Sequence, residues 1–129
     1  MNQKIFLTFV SASALCVGAF AVGFPAALIE SKGAQFAPAA AVWVREVGVL
    51  VFAQGVMAFL MRDQPPSAPL RAFLIGSALV QLGLFPIEIV AYLHGSVNRL
   101  SGVVPNSALH LVFAWGFVYY ARHRVPAAG

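Results

Sequence analysis

The chain has 129 residues, of which 60% are hydrophobic and only 9% charged, and its mean hydropathy is +0.85. Soluble domains carry about 25% charged residues, so this composition excludes an ordinary globular domain and predicts one polytopic membrane domain over residues 1–129. The formal charge of +4 comes from scattered Lys and Arg residues, which argues against a nucleic-acid partner, and the single cysteine, Cys16, excludes an internal disulfide.

Four apolar stretches are long enough to cross a bilayer, whose hydrocarbon core takes about 20 helical residues. In chain order they cover residues 5–29, 38–61, 72–93 and 103–121. Because lipid offers no partner for free backbone groups, all four are predicted to be helices, and short connections make sequential neighbours antiparallel. The predicted fold is therefore all-α, a four-helix transmembrane up-down bundle.

The first stretch also has features of a cleaved signal peptide, because Lys4 precedes an apolar core and Ala19 and Ala21 form a small-x-small cleavage site. A retained helix is preferred, since the apolar character continues to Ile29, beyond an ordinary signal core. Cleavage would also leave three helices.

The Lys and Arg residues outside the spans are unevenly divided. Two of them, Lys32 and Arg99, fall on one predicted side, and the other side holds Lys4, Arg62, Arg71, Arg122 and Arg124. By the positive-inside rule both termini are predicted to be cytoplasmic. The short, loop-poor chain is typical of a bacterial inner-membrane protein.

Four ionisable residues, Arg45, Glu46, Glu88 and His110, lie inside the predicted spans. A charged group at mid-membrane costs about 2.5–3.5 kcal/mol unless it is paired or hydrated, so such residues suggest a site. At a rise of about 1.5 Å per residue, Arg45, Glu88 and His110 lie about 6–11 Å below the non-cytoplasmic edge. Three helices thus bring them to one depth, which predicts a shared polar pocket.

A polar seam is predicted on the third helix. Ser77, Gln81, Glu88 and Tyr92 are spaced by four, seven and four residues, which places them on one face. Pro86 is expected to bend the helix close to Glu88.

Glycines seven residues apart occur on the second and third predicted helices, as Gly48 and Gly55 and as Gly76 and Gly83. Small residues at this spacing let helix backbones approach closely, so we expect these two helices to pack along them.

Arg45 and Glu46 are adjacent and therefore diverge by about 100° around their helix. Arg45 shares the glycine side and is expected to pair with Glu88, whereas Glu46 would face His110 or the headgroups. In the alternative interpretation, the Arg45–Glu88 ion pair only locks two helices together.

The polar residues suggest chemistry without a metal or cofactor. No HExxH or Glu-x-x-His spacing, phosphate loop, nucleophile elbow or haem-attachment motif is present in the sequence. The candidate catalytic residues are Glu88, His110 and Glu46. The candidate substrate-binding residues are Arg45, Gln81, Gln54 and Tyr92.

The order of several features along most of the chain resembles small DoxX-like four-helix membrane proteins. These features are Trp43-Val44-Arg45-Glu46-Val47-Gly48, then Gly55 and Arg62, then Gly95, and finally His110. The resemblance implies a four-helix bundle in which Arg45 is important.

A shorter motif, Phe85-Pro86-Ile87-Glu88, is similar to the proline-x-acid-acid motif of membrane carotenoid (lycopene-type) cyclases. Ile89 stands where that motif has its second acid. Carried over to Glu88 alone, the similarity implies a proton donor to an isoprenoid double bond.

Three functions fit these features. The first is binding or conversion of a lipophilic small molecule, isoprenoid or quinone-like, in a polar pocket of the non-cytoplasmic half, where a buried carboxyl group delivers a proton and His110 returns it. The second is a small proton-coupled transporter. As a transporter the protein would work as a homo-oligomer, specifically a homodimer. The third is an accessory or structural subunit of a larger membrane complex.

Overall fold

The structure, a computed structural model, describes residues 2–123, which form five helices and no strand. These are α1 (Gln3–Gly23), α2 (Pro25–Ser31), α3 (Pro38–Met61), α4 (Ala68–Leu93) and α5 (Leu100–His123). All but α2 are long and apolar enough to cross a membrane. The prediction of an all-α membrane protein with four spanning helices is confirmed.

The single helix predicted over residues 5–29 is two helices. α1 ends at Gly23, Phe24 adopts a non-helical conformation with φ −131 and ψ 56, and Pro25 begins α2. Proline lacks the N–H that would continue the hydrogen-bond ladder, and its fixed φ suits the first position of a new helix. The apolar run therefore extends beyond the end of the spanning helix, because hydropathy does not register this break.

α4 and α5 begin earlier than predicted, whereas α3 has the predicted bounds. The Ser67 side chain accepts a hydrogen bond from the Leu70 N–H at 3.4 Å, which caps α4 before the predicted start at residue 72. α5 starts at Leu100 and continues through Pro105 to His123.

The chain divides into two compact units, of which the first comprises α1, α2 and α3 with Val97–Arg99. Here α1 and α3 pack antiparallel with their backbones in contact. A Cβ added at Gly18 would lie 2.6 Å from the backbone nitrogen of Phe52, and one at Gly55 would lie 2.9 Å from that of Leu15. The glycines of α3 therefore contact α1.

The expected packing of Gly48 and Gly55 along Gly76 and Gly83 is wrong. Gly48 contacts Ala21 and Val22 of α1, and a Cβ added at Gly76 or Gly83 would meet no atom within 4 Å. The spacing of small residues indicated a close helix contact but not its partner.

In the first unit, the segment Val97–Arg99 also binds to the connection between α2 and α3. The carbonyl oxygen of Lys32 accepts hydrogen bonds from the backbone N–H groups of Asn98 at 3.0 Å and Arg99 at 3.1 Å. The Arg99 guanidinium donates to the Glu30 carbonyl at 3.1 Å, and Gly33 turns the chain with a left-handed φ of 77.

The second unit contains α4 and α5, which pack antiparallel. Phe73 contacts Phe117 edge to face at 6.3 Å between ring centroids, and Glu88 of α4 meets Asn106 and Ser107 of α5. The contact is apolar toward the start of α4 and polar toward its end.

The glycine contacts predict a difference between two alanine substitutions. Gly18→Ala forces a methyl group into backbone atoms of α3 and should lower the free energy of unfolding by about 3 kcal/mol, the upper end of overpacking effects. Gly76→Ala has open space and should leave stability unchanged or raise it by up to about 1 kcal/mol through helix propensity. Thermal unfolding midpoints in detergent measure both, and equal midpoints would refute the α1–α3 packing.

Candidate functional site

Glu88 is the centre of a polar network in the second unit. Its side chain is only 7% exposed. The Asn106 amide nitrogen donates to both carboxylate oxygens, at 3.1 Å and 3.0 Å, and the Ser107 hydroxyl donates to Oε2 at 2.8 Å. Two consecutive residues of α5 thus supply hydrogen bonds that a carboxyl group needs when it is buried in a membrane-spanning helix.

His110 extends the network from Asn106 to Gln81. Its Nε2 lies 3.0 Å from the Asn106 amide nitrogen, and its Nδ1 lies 2.6 Å from the Gln81 side-chain oxygen. An amide nitrogen can only donate and an amide oxygen can only accept. Nε2 therefore accepts and Nδ1 donates, which defines a neutral imidazole with its hydrogen on Nδ1.

Helical spacing explains why these side chains meet. Gln81 and Glu88 are seven residues apart on α4, which is about two turns, and Asn106 and His110 are four apart on α5. The predicted grouping of Gln81 with Glu88 on one face, and of both with His110, corresponds to this network. The sequence reasoning missed Asn106 and Ser107, although the Asn106–His110 spacing of four residues was a usable signal.

Because α5 begins before the predicted span, His110 lies further inside its helix than expected. α5 begins at Leu100, so His110 lies ten residues inside the helix, about 15 Å from its start, whereas Glu88 lies five residues, about 8 Å, from the end of α4. The two groups nevertheless meet at the Asn106 amide, and their depth below a membrane edge stays a prediction.

Two prolines flank the network, Pro86 within α4 and Pro105 within α5. Each removes one backbone N–H, which leaves the carbonyls of Leu82 and Ser101 without their usual partners four residues later. Both prolines face outward and are exposed. The helix pair is thus weakened in its backbone hydrogen bonding next to Glu88 and Asn106.

Arg45 fastens the end of α1 to α3 within the first unit. Its Nε donates to the carbonyl oxygen of Val22 at 3.4 Å. Val22 lies in the last turn of α1, where carbonyls have no intrahelical donor and a cation interacts favourably with the helix dipole. The ion pair predicted between Arg45 and Glu88 would join residues of different units and stays a prediction.

The remaining candidate residues are not brought to Glu88 by the contacts of the second unit. Glu46 is exposed and Gln54 is half-buried, both on α3 of the first unit. Tyr92 is half-buried near the end of α4, and its hydroxyl makes no hydrogen bond within residues 2–123. The catalytic role of Glu46 and the binding roles of Gln54 and Tyr92 stay predictions.

The first unit also contains an apolar groove of about 240 Å³. It is lined by Val17, Ala21, Leu28, Trp43, Val44, Val47, Gly48 and Val51. Such a wall fits a hydrocarbon chain but offers no group for proton transfer. Among the described residues, no group of three or more His, Cys, Asp or Glu side chains could hold a metal ion. The network of the second unit is therefore the candidate site.

Replacing Asn106 tests whether the network stabilises the helix pair. Asn106→Leu has a similar volume but removes the donor to Glu88 and His110, and leaving a buried acceptor unsatisfied should cost about 2–3 kcal/mol of unfolding free energy. The control is Val104→Leu, at an exposed apolar position of the same helix. Unfolding titrated in mixed micelles measures both, and indistinguishable stabilities would show that the amide bridge contributes little.

The contact of Arg45 predicts a smaller effect. Arg45→Gln removes the cation of α3 that contacts the last turn of α1 and should lower stability by about 1 kcal/mol. Glu46→Gln changes the neighbouring exposed residue and should be neutral. Their thermal midpoints provide the comparison, and a loss confined to Glu46→Gln would contradict the role assigned to Arg45.

No protein-family model, curated protein or solved structure matches the chain. Function is therefore inferred from the geometry of Glu88, His110 and their neighbours.

Proposed function

We propose that the protein binds a lipophilic small molecule, isoprenoid or quinone-like, at the polar network of α4 and α5 and exchanges protons with it. The observation that supports this most directly is the placement of two proton-accepting groups against one amide nitrogen. The Glu88 carboxylate and the His110 Nε2 both lie 3.0–3.1 Å from the Asn106 Nδ2, inside helices that can span a membrane.

The cost of this network favours a functional role over a structural one. A buried polar cluster generally contributes no more stability than well-packed apolar residues of similar volume. α4 and α5 already have an apolar contact between Phe73 and Phe117. A carboxyl group and an imidazole within the membrane are therefore better explained by proton exchange than by helix association.

Each residue has a distinct proposed role. Glu88 gives or takes a proton at its carboxyl group, and His110 acts as the second acid–base group through Nε2. Gln81 positions His110, because its oxygen holds the hydrogen on Nδ1. Asn106 occupies the place between the two acid–base groups, where a hydroxyl or carbonyl of the bound molecule would replace its amide.

Access to the network is expected from the side on which its side chains are half-buried. Asn106, His110 and Gln81 are partly exposed, whereas Glu88 and Ser107 are buried behind them. A molecule dissolved in the bilayer would therefore meet the imidazole and the amides before the carboxylate. Lateral entry suits a lipophilic molecule, since it never has to leave the hydrocarbon phase.

We also propose that the protein lies in a bacterial inner membrane with both termini in the cytoplasm, on the basis of its charge distribution. Lys4 and Arg62 lie at one end of the antiparallel pair α1 and α3, and Arg71 and Arg122 lie at one end of the pair α4 and α5. The first unit also has Lys32 and Arg99 at its opposite end, so the bias that the positive-inside rule uses comes from the second unit. Arg124 lies outside the described residues.

Membership of the DoxX-like group is part of the same proposal. It is supported by the Trp43–Gly48 run at the start of α3 and by His110 in α5, which are the features that carry the resemblance.

The proposal is tested by identifying what the protein retains when it is purified from its native membrane in mild detergent. Mass spectrometry should find a lipophilic molecule with the wild type and with Glu46→Gln, and at least about tenfold less of it with Glu88→Gln, because only that substitution changes the carboxyl group at the network. Glu46→Gln is the matched control, since the chemical change is the same at an exposed position. Unchanged elution in size-exclusion chromatography shows that each variant is folded.

Two outcomes would overturn the proposal. Equal retention by wild type and Glu88→Gln would remove Glu88 from the binding site. A stoichiometric protein partner with no small molecule would instead favour the accessory subunit.

A further inference from the structure

Arg71 has one side-chain nitrogen, Nε, that is buried without a hydrogen-bond partner among the described residues. It lies in the first turn of α4, its side chain is half-buried, and its Nε is fully buried with no hydrogen-bond partner among residues 2–123. Within residues 2–123, one other buried side-chain atom has no hydrogen-bond partner, the neutral hydroxyl oxygen of Ser11. Because the Nε is covered by the protein, an acceptor from outside the chain would have to bind the terminal guanidinium nitrogens, and a negative charge there would offset the cost of burying this cation.

The start of α4 adds positive potential to that of Arg71. The first turn contains no acidic residue, and the N-terminal end of a helix has a partial positive charge. Cations are normally disfavoured in this turn. An anion bound there would interact favourably with both the guanidinium and the helix dipole.

The last turn of α5 contributes a further cation, Arg122, and aromatic rings at the same end of the second unit. The antiparallel register that pairs Phe73 with Phe117 brings residues 68–71 beside residues 120–123. Arg122 and His123 are exposed there, and the His123 ring stacks on Tyr119 at 4.7 Å. Exposed basic and aromatic side chains at a helix end are typical of the headgroup region of a membrane.

Acidic side chains do not balance this cluster. The chain has four, Glu30, Glu46, Asp63 and Glu88. Glu88 lies toward the other end of α4, and Asp63, five residues before the first residue of α4, is the one acidic residue close in sequence to its start. The basic end formed by Arg71, Arg122 and His123 therefore carries a net positive charge.

We propose that Arg71, with the first turn of α4 and the last turn of α5, binds a phosphate group, as presented by the headgroup of an anionic phospholipid. A guanidinium matches phosphate oxygens bidentately, and basic pockets at the ends of membrane helices are suited to anionic lipid headgroups. About one turn deeper, Ile75 and Trp115 are exposed apolar side chains against which an acyl chain can lie. The site is separate from the Glu88 network and does not depend on its function.

The test is lipid-dependent thermal stabilisation of the full chain in detergent. Phosphatidylglycerol should raise the Tm of the wild type more than phosphatidylcholine does, and Arg71→Gln should lose this difference or need at least about tenfold more lipid for half of the effect. Arg62→Gln is the matched control. Its guanidinium already donates to the Phe59 carbonyl at 2.6 Å and lies 3.4 Å over the Phe59 ring, so the substitution should preserve the lipid response.

The outcomes separate the two sources of phosphate. Stabilisation by inorganic phosphate equal to that by phosphatidylglycerol, and equally lost in Arg71→Gln, would overturn the lipid assignment in favour of free phosphate. An equal phosphatidylglycerol response in wild type and Arg71→Gln, or none in the wild type, would overturn the site. If Arg71→Gln fails to fold, Arg71→Lys keeps the charge but not the planar fork, and an unchanged lipid response in that variant would also overturn the site.

Discussion

A carboxyl group inside a membrane-spanning helix has to be hydrogen-bonded by its own protein, because the surrounding hydrocarbon offers no partner. In the second unit this requirement constrains how α4 and α5 meet. Glu88 needs donors, and Asn106 and Ser107 supply them from one turn of α5. Sliding α5 by a turn would replace Asn106 and Ser107 opposite the carboxylate by Gly102 and Val103 or by His110 and Leu111. The hydrogen bonds of Glu88 thus fix the register in which Gln81 reaches His110 and Phe73 reaches Phe117.

The first unit is held together by close backbone packing rather than by a polar network. Gly18, Gly48 and Gly55 let α1 and α3 approach until a single methyl group would collide with the opposite backbone. The break at Pro25 leaves carbonyls at the end of α1, and Arg45 donates to one of them. The two units therefore show two solutions to helix association in lipid, one based on small residues and one on hydrogen bonds.

Much of the fold could be predicted from the sequence because hydropathy and length constrain spanning helices strongly. The bounds of α3 were correct, whereas the break at Pro25 and the early starts of α4 and α5 depend on local capping that hydropathy does not measure. For the site, helical spacing placed Gln81 and Glu88 on one face. It could not identify Asn106 as the bridge, because a half-buried amide near a span boundary resembles an ordinary polar end. The partner of Arg45 was also beyond prediction, since it is a backbone carbonyl whose availability depends on where α1 ends.

The direction of the hydrogen bonds around Asn106 has a consequence for proton movement. A proton wire requires each member to accept on one side and donate on the other. The Asn106 nitrogen donates on both sides, toward Glu88 and toward His110, so the bonds run outward from it. In this arrangement the amide interrupts proton transfer between Glu88 on one side and His110 with Gln81 on the other. A proton released by Glu88 cannot reach His110 until a water or a ligand hydroxyl takes the amide's place.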